Sequence, residues 1–320
     1  MPGRNPLCGL AAPRRSKTPR SGGLNDLRSL EITIMDCITE LITTKEIQER
    51  TSSFGYATQS HLLLRDQLSA ARAELHRELK VVGEIQRSLL PETLPEIPGF
   101  DIASYYKPSA MAGGDYYDIV PLVDGLWGLI VADVAGHGAS AAVVMAMMRT
   151  LVHAHLPTNR YLPSCEFLEF MNRQMTGVYT RDGRFVTVWA AVLDPAARTM
   201  TYASAGHNPP RHVRRATVTA LDAARGLPLG IEQSEKYEEV CVSLEAGDLV
   251  VIYTDGITEA ARFGDGGRRF FETERLDEVL IESRCDTAED CVIRVTKSVN
   301  TFTEESEQTD DQTMLVLRVK

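Results

Sequence analysis

Apolar positions recur in two rhythms along this chain, and the change near residue 91 divides it. Over residues 24–50, Leu30, Ile34, Cys37 and Leu41 fall three and four apart, the spacing of one helical face. The cluster at 51–59, with Ser52, Ser53 and Gly55, predicts a break. Helical spacing resumes over 62–90, where Leu68, Leu75, Val82 and Leu89 repeat every seven residues. Leu64, Ala71, Glu78 and Ile85 form the companion row, with Glu78 as its one defect. Such a double row marks a short coiled coil, and equally an amphipathic helix lying on a folded domain. Pro91 ends it.

Beyond Pro91 the rhythm shortens. Apolar runs rich in branched side chains predict strands at 101–106, 116–122, 126–133, 185–193, 199–205, 239–244, 249–254 and 313–319. Longer periodic segments predict helices at 139–154, 163–178, 269–283 and 287–303. Helices arrive in consecutive pairs, and several strands are joined by short turns such as Asp194-Pro195. That order excludes a regular βαβ alternation and predicts an α+β fold with antiparallel sheets covered by helices. The expected organisation is a disordered basic tail at 1–24, a short helical segment at 25–56, a coiled-coil-like linker helix at 57–91 and a folded domain at 92–320.

Charge and cysteine content narrow the function classes. The net charge of −10 argues against a general nucleic-acid binder. Residues 1–24 carry Arg4, Arg14, Arg15, Lys17 and Arg20 and no acidic residue, which leaves open a functional basic arm or an over-extended start. The six cysteines include no CxxC pair, which favours reduced thiols in the cytoplasm over a disulfide framework. Cys285 and Cys291 have the spacing of a thiol phosphatase loop, but Cys291 stands where that chemistry requires arginine. No apolar run reaches the ~18–20 residues of a membrane span, and no secretory signal is present.

The candidate chemistry lies where strands end. The run Leu129-Ile130-Val131 leads to Asp133 and then to the turn Val134-Ala135-Gly136-His137-Gly138. One such aspartate could simply cap the following helix. The pattern recurs, however: Leu249 to Tyr253 leads to Thr254-Asp255-Gly256, Asp310-Asp311 precedes the last strand, and Asp115 lies between Gly113-Gly114 and Tyr116-Tyr117. Lone buried carboxylates are too costly to be left without a cation. Four of them at strand edges suit a hard ion such as Mg²⁺ or Mn²⁺, which takes oxygen ligands. The stretch Tyr253-Thr254-Asp255-Gly256 also suggests a haloacid dehalogenase-type phosphatase, but that chemistry needs Asp-x-Asp and residue 253 is Tyr.

The stretches Gly113-Gly114-Asp115-Tyr116-Tyr117-Asp118, Asp133-Val134-Ala135-Gly136-His137-Gly138, Ala205-Gly206-His207-Asn208-Pro209-Pro210, Thr254-Asp255-Gly256-Ile257-Thr258-Glu259-Ala260 and Asp310-Asp311-Gln312-Thr313 occur in this order. Together they resemble the PPM metal-dependent protein phosphatases, in the bacterial RsbU-like and SpoIIE-like branch, over about residues 89–320. The resemblance implies a four-layer sandwich of two central antiparallel sheets flanked by helices. It also implies two Mn²⁺ or Mg²⁺ ions, with Asp133 bridging them and the Val134 carbonyl as a further ligand. Asp255 and Asp311 would hold one ion and Asp115 the other, with Asp133 and Asp255 central to catalysis. Asp118 and Asp310 are adjacent candidates. His137 fits either a leaving-group proton donor or a solvent-facing turn, and His207 with Asn208 either a loop brace or a substrate contact. Arg211 to Arg215 and Lys107 are candidates for phosphoprotein contact. Eukaryotic relatives carry Gly after the bridging aspartate, where Val134 can offer the same carbonyl.

In that branch the implied reaction is hydrolysis of phosphoserine or phosphothreonine on a small anti-anti-sigma protein, which releases a sigma factor. The competing reading is a catalytically inactive scaffold of the same fold that only binds a partner. Residues 62–90 are expected to form a homodimeric coiled coil, and neither nucleic acid nor membrane is an expected partner.

Overall fold

Alternate residues along the central strands belong to two different apolar cores, and this decides the layering. A computed structural model of the chain describes residues 25–136, 138–155, 162–177, 184–264, 267–282, 287–304 and 306–320. In order, the elements are α1 (Asn25–Leu89), β1 (Phe100–Lys107), β2 (Tyr116–Pro121), β3 (Trp127–Val134), α2 (Ala139–His155), α3 (Ser164–Met175), β4 (Val186–Asp194) and β5 (Thr199–Ala205). There follow β6 (Arg211–Arg214), β7 (Thr217–Ala220), β8 (Val240–Ser243), β9 (Leu249–Tyr253), α4 (Asp255–Thr258), β10 (Ala261–Gly264), β11 (Gly267–Phe270), α5 (Glu272–Glu282), α6 (Ala288–Thr303) and β12 (Gln312–Val319).

Two five-stranded sheets run β1-β12-β9-β6-β7 and β2-β3-β4-β5-β8, with β10-β11 as a separate hairpin. Every strand pairing within them is antiparallel. On β12, Leu315, Leu317 and Val319 join a core with Val250 and Ile252 of β9 and Leu129 and Val131 of β3. Met314 and Val316 turn the other way, toward Leu276 and Leu280 of α5 and Val295 and Val299 of α6. A period of two with both faces apolar is what a sheet covered on both sides demands. Met145 and Met148 of α2 and Phe167, Leu168 and Met171 of α3 pack on the second sheet. The result is the α+β four-layer sandwich, helices outside two sheets.

The first helix departs from the sequence reading. It runs unbroken for 65 residues, through 51–59 where a break is expected. A helical glycine costs about 1 kcal/mol relative to alanine, and without a proline Gly55 and its serine neighbours do not stop the helix. By compactness the chain separates into residues 1–71, helical where described, and residues 72–320, which hold both sheets. The expected disordered tail at 1–24 lies outside the described residues. Among the described residues no helix is long and apolar enough to cross a membrane.

Two hairpins were also not anticipated. Strands β6 and β7 occupy the segment that reads as a basic cluster, and the arginines there are engaged internally. Arg211 forks onto Asp277 of α5, its Nε donating at 2.7 Å. Arg214 donates to both oxygens of Asp248, at 3.1 and 2.7 Å, and pairs with Glu245 at 3.0 Å. His212 lies 2.9 Å from the same Asp248, whose Oδ2 also accepts from the Glu245 N–H. Burial opposes the charge of Asp248, but these donors hold its carboxyl below the ordinary carboxylate range. Arg211 and Arg214 are thus structural and are corrected as phosphoprotein contacts. Asp248→Ala, which leaves part of this network unpaired, is expected to cost about 3–5 kcal/mol. Urea denaturation checks this; a loss under about 1 kcal/mol would show the network to be incidental.

Candidate active site

Four strand ends from the two sheets deliver carboxylates to one edge of the sandwich. Asp133 is the penultimate residue of β3, and Asp115 immediately precedes β2, whose Tyr116 is registered opposite Ala132. In the other sheet Met314 is opposite Tyr253, so Thr254-Asp255 leaves β9 beside Asp311-Gln312-Thr313 entering β12. The chain past Asp133 turns through Gly136 and Gly138 at φ of 101° and 80°, a region that side-chain-bearing residues avoid.

Close backbone approach requires glycine here. A Cβ on Gly256 would stand 1.9 Å from the Asp311 carbonyl oxygen, and one on Gly113 would stand 2.2 Å from the Asp311 carboxylate. A Cβ on Gly114 would meet the Val134 carbonyl oxygen at 2.7 Å, so that oxygen faces the same loop.

The carboxylates sense one another. Burial and then the charges of Asp255, Asp310 and Asp311 push the Asp133 carboxyl up to about 7. Burial, Asp310 and Glu259 raise Asp255 to about 6. Asp115 is 1% exposed, and burial followed by the Asp133 charge drives it well above the carboxylate range. Among the described residues none of Asp115, Asp133, Asp255 and Asp311 is paired with a lysine or arginine.

Hydrogen bonds fix two members of the set. Thr254 and Thr313 donate their hydroxyls to Oδ2 of Asp115 at 2.8 and 2.5 Å. Asp311 accepts at Oδ1 from the Ser109 N–H at 2.7 Å and hydroxyl at 3.0 Å, and at Oδ2 from the Gly114 N–H at 2.6 Å. With oxygens committed in this way, no group of three His, Cys, Asp or Glu side chains among the described residues is already gathered at metal-ligand spacing. The donors are nonetheless all oxygen and without a cationic partner, Asp115 and Asp311 buried and Asp133 and Asp255 partly so, a set that fits Mg²⁺ or Mn²⁺ better than soft-ligand metals.

Sequence reasoning missed Gln86, Thr254, Thr313 and Ser109 as partners of this edge. Gln86 of α1 is 3% exposed and clamps the Gly113 backbone, donating to its carbonyl at 2.6 Å and accepting from its N–H at 2.9 Å. Gly83 lies against the same loop, since a Cβ there would stand 1.9 Å from the Met111 carbonyl oxygen. The final turns of α1 are therefore seated directly on the loop that leads to Asp115.

Other candidates fall elsewhere. Asp118 is turned away, accepting from the Tyr116 hydroxyl at 2.6 Å and contacting His153 at 2.7 Å, so it leaves the metal set. Asp310 is close enough to raise both Asp133 and Asp255. His207 is buried, shares a hydrogen with the Thr187 hydroxyl at 2.8 Å, and is pushed down to about 4 by burial. Because Thr187 is registered opposite Asp133, the neutral imidazole braces the strand beside the site. Asn208 lines a separate cavity with His207 and Arg225. Lys107 lines a cavity of about 310 Å³ together with Gly256 and Asp310. His137 and Cys285 lie outside the described residues, and Cys291 is buried.

The sandwich and its edge define a PP2C-type phosphatase domain. The SiaA-PP2C domain of Pseudomonas aeruginosa superposes with a TM-score of 0.68 at 23% identity, over 78% of this chain and 99% of that one. The RsbU and RsbW domains of Rv1364c from Mycobacterium tuberculosis superpose at 0.60 with 26% identity, over 72% of this chain and 63% of that one. In sequence, residues 123–320 match the family Stage II sporulation protein E (SpoIIE). Phosphoserine phosphatase RsbU of Bacillus subtilis (strain 168) is 31% identical over 268 residues, 83% of this chain and 76% of that protein. The chain belongs to the SpoIIE family of PP2C-type protein phosphatases.

The raised carboxyls carry a pH signature. The folded protein holds protons on Asp133 and Asp255 that the unfolded chain releases near pH 4, so their contribution is complete below that value. It is lost as pH rises through about 6 and 7. In chelator, the Tm is expected to fall between about pH 5 and pH 8, and Mn²⁺ should raise it more at the higher pH. Thermal unfolding at both pH values tests this, and an equal Mn²⁺ shift at each would contradict it.

Proposed function

We propose that this chain hydrolyses phosphoserine or phosphothreonine on a regulatory protein of the anti-anti-sigma type, with water as the nucleophile. The carrying observation is the set of carboxylates without a cationic partner, buried or partly buried, that four strand ends deliver to one edge. Asp133 would serve both ions of a pair, with the Val134 carbonyl as a further ligand, Asp255 and Asp311 on one ion and Asp115 on the other. Bound Mn²⁺ or Mg²⁺ would neutralise phosphate charge and lower the pKa of the attacking water. The chain's own part is positional. Thr254 and Thr313 both donate to one oxygen of Asp115 and fix the direction of the carboxylate, while Ser109 and Gly114 orient Asp311 by donating to one of its oxygens each. His207, neutral and anchored on Thr187, keeps the β4 strand in register against Asp133. No Cys or Ser nucleophile is needed. The name of the RsbU relative, a phosphoserine phosphatase, supports serine as the target. Free thiols at Cys37, Cys165 and Cys241 suit a reducing cytoplasm.

Residues 62–90 pair with a second copy in this reading. Leu64, Leu68, Leu75 and Ile85 are 56–63% exposed on one helix, more apolar surface than a lone helix leaves in water. Val82 is half-buried, and Leu89 is half-buried against the domain core, so the exposed seam lies mainly N-terminal to Val82, with Ile85 beyond it. Glu78 within the seam keeps pairing weak and adjustable.

Two outcomes check these readings. Asp133→Asn should lower Mn²⁺-dependent kcat/KM on p-nitrophenyl phosphate by about a thousandfold or more; a loss under about tenfold, only ~1.4 kcal/mol in barrier, would remove Asp133 from the chemistry. Light scattering should give a dimer for the full chain and a monomer for Leu75→Glu. A full-length monomer ends the pairing idea.

A further inference from the structure

The β10–β11 hairpin borders the candidate site. Ala260 and Ala261, where β10 begins, line the same cavity as Gly256, Lys107 and Asp310. The register sets Phe263 opposite Arg268 and Arg262 opposite Arg269. Since side chains alternate across a strand, one face carries Phe263, Arg268 and Phe270. The Arg268 guanidinium lies 5.8 Å from the centre of the Phe263 ring and 4.6 Å from that of Phe270. Arg268 also donates to the Thr309 hydroxyl at 3.4 Å, one residue before Asp310.

Two features of this hairpin have no explanation in folding. Phe263 is 56% exposed, an unusual position for a phenylalanine ring. Arg262 and Arg269 face each other directly across the strands, an arrangement of like charges that destabilises a hairpin. Glu304 relieves Arg262 at 2.9 Å. Among the described residues neither Arg268 nor Arg269 has an ion-pair partner. An exposed ring flanked by arginines is the composition of protein-binding hot spots. On a chain of net charge −10, arginines held beside the site select an anionic partner.

We infer that this hairpin docks an acidic surface of the phosphoprotein substrate, with Phe263 and Arg268 as anchors and Arg269 as the flanking charge. The inference rests on the phosphatase reading and specifies the surface chemistry of its substrate. A site that grips little beyond phosphate gains selectivity from such neighbouring surface, because binding energy from remote groups can be spent on the reacting one.

The test uses the full-length protein and two probes, p-nitrophenyl phosphate and fluorescein-labelled phosphorylated casein, an acidic phosphoprotein. Arg268→Glu with Arg269→Glu, and separately Phe263→Ala, should leave Mn²⁺-dependent aryl phosphate hydrolysis within about twofold, which also certifies the fold. Each should weaken casein binding, read by fluorescence anisotropy, by about tenfold or more, and casein kcat/KM should fall through KM. Binding by the parent should weaken between about 50 and about 300 mM salt, and binding by the double variant should not. Equal casein affinity in parent and variants overturns the inference, as does a parent that binds casein without salt sensitivity or not at all. An oligonucleotide competing as well as casein would assign the hairpin to nucleic acid and likewise overturn it. The anisotropy arm needs no turnover, so a parent inactive on aryl phosphate refutes the phosphatase reading without deciding this one.

Discussion

Several carboxylates share a dry edge where two sheets meet, and most of the domain's local architecture serves to hold them there. Burial raises the cost of each negative charge, and each neighbour raises it further, as the upward shifts of Asp115, Asp133 and Asp255 record. Such a cluster persists only because the surrounding fold over-determines it. The strands on either side are largely buried, and Gly113, Gly114 and Gly256 let the Asp311 carboxylate and neighbouring backbone approach within distances that any Cβ would forbid. The apolar cores thus supply the stability against which this edge is strained.

That constraint explains why distant segments touch the same few oxygens. Ser109 reaches Asp311 across 202 residues of sequence, and Thr313 reaches Asp115 across 198. Gln86 adds a third connection, from the end of α1 to the Gly113 backbone, whose neighbour Gly114 donates to Asp311. A displacement of the last turns of α1 would therefore be felt at the carboxylates through two hydrogen-bonded steps. If residues 62–90 pair as proposed, this contact is where that pairing would meet the chemistry of the site. The β10–β11 hairpin borders the same edge from another side, so partner recognition and chemistry share one neighbourhood.

Much of this was legible in the sequence because it is written locally. Strand periodicity located β1, β2, β3, β4, β5, β8, β9 and β12 to within a residue or two. Turn residues after Asp133 and Asp255 marked where each strand stops, and Thr287 marked the start of α6, where it closes a capping box with Asp290. Strands β6 and β11 were missed because Arg211 to Arg214 and Gly267 to Phe270 offer too few alternations to outweigh their charges. The helix break at 51–59 was wrongly expected because Gly and Ser lower helix propensity without forbidding the helix, as proline would.

What the sequence by itself determined was which residues end strands, which rows of α1 are apolar, and hence the fold class and the kind of chemistry. Only the tertiary structure decided which carboxylates come together. Asp118 sits three residues from Asp115 yet belongs to His153 and Tyr116, while Asp311, nearly two hundred residues away, accepts a hydrogen bond from the Gly114 N–H beside Asp115. It also decided that Arg211 and Arg214 are consumed by Asp277 and Asp248, and that Leu75 faces solvent while Leu89 faces the core. The reason is physical. Local spacing fixes the direction of a side chain relative to its own backbone, whereas its partner depends on strand register and layer packing, which are set by contacts across the whole chain.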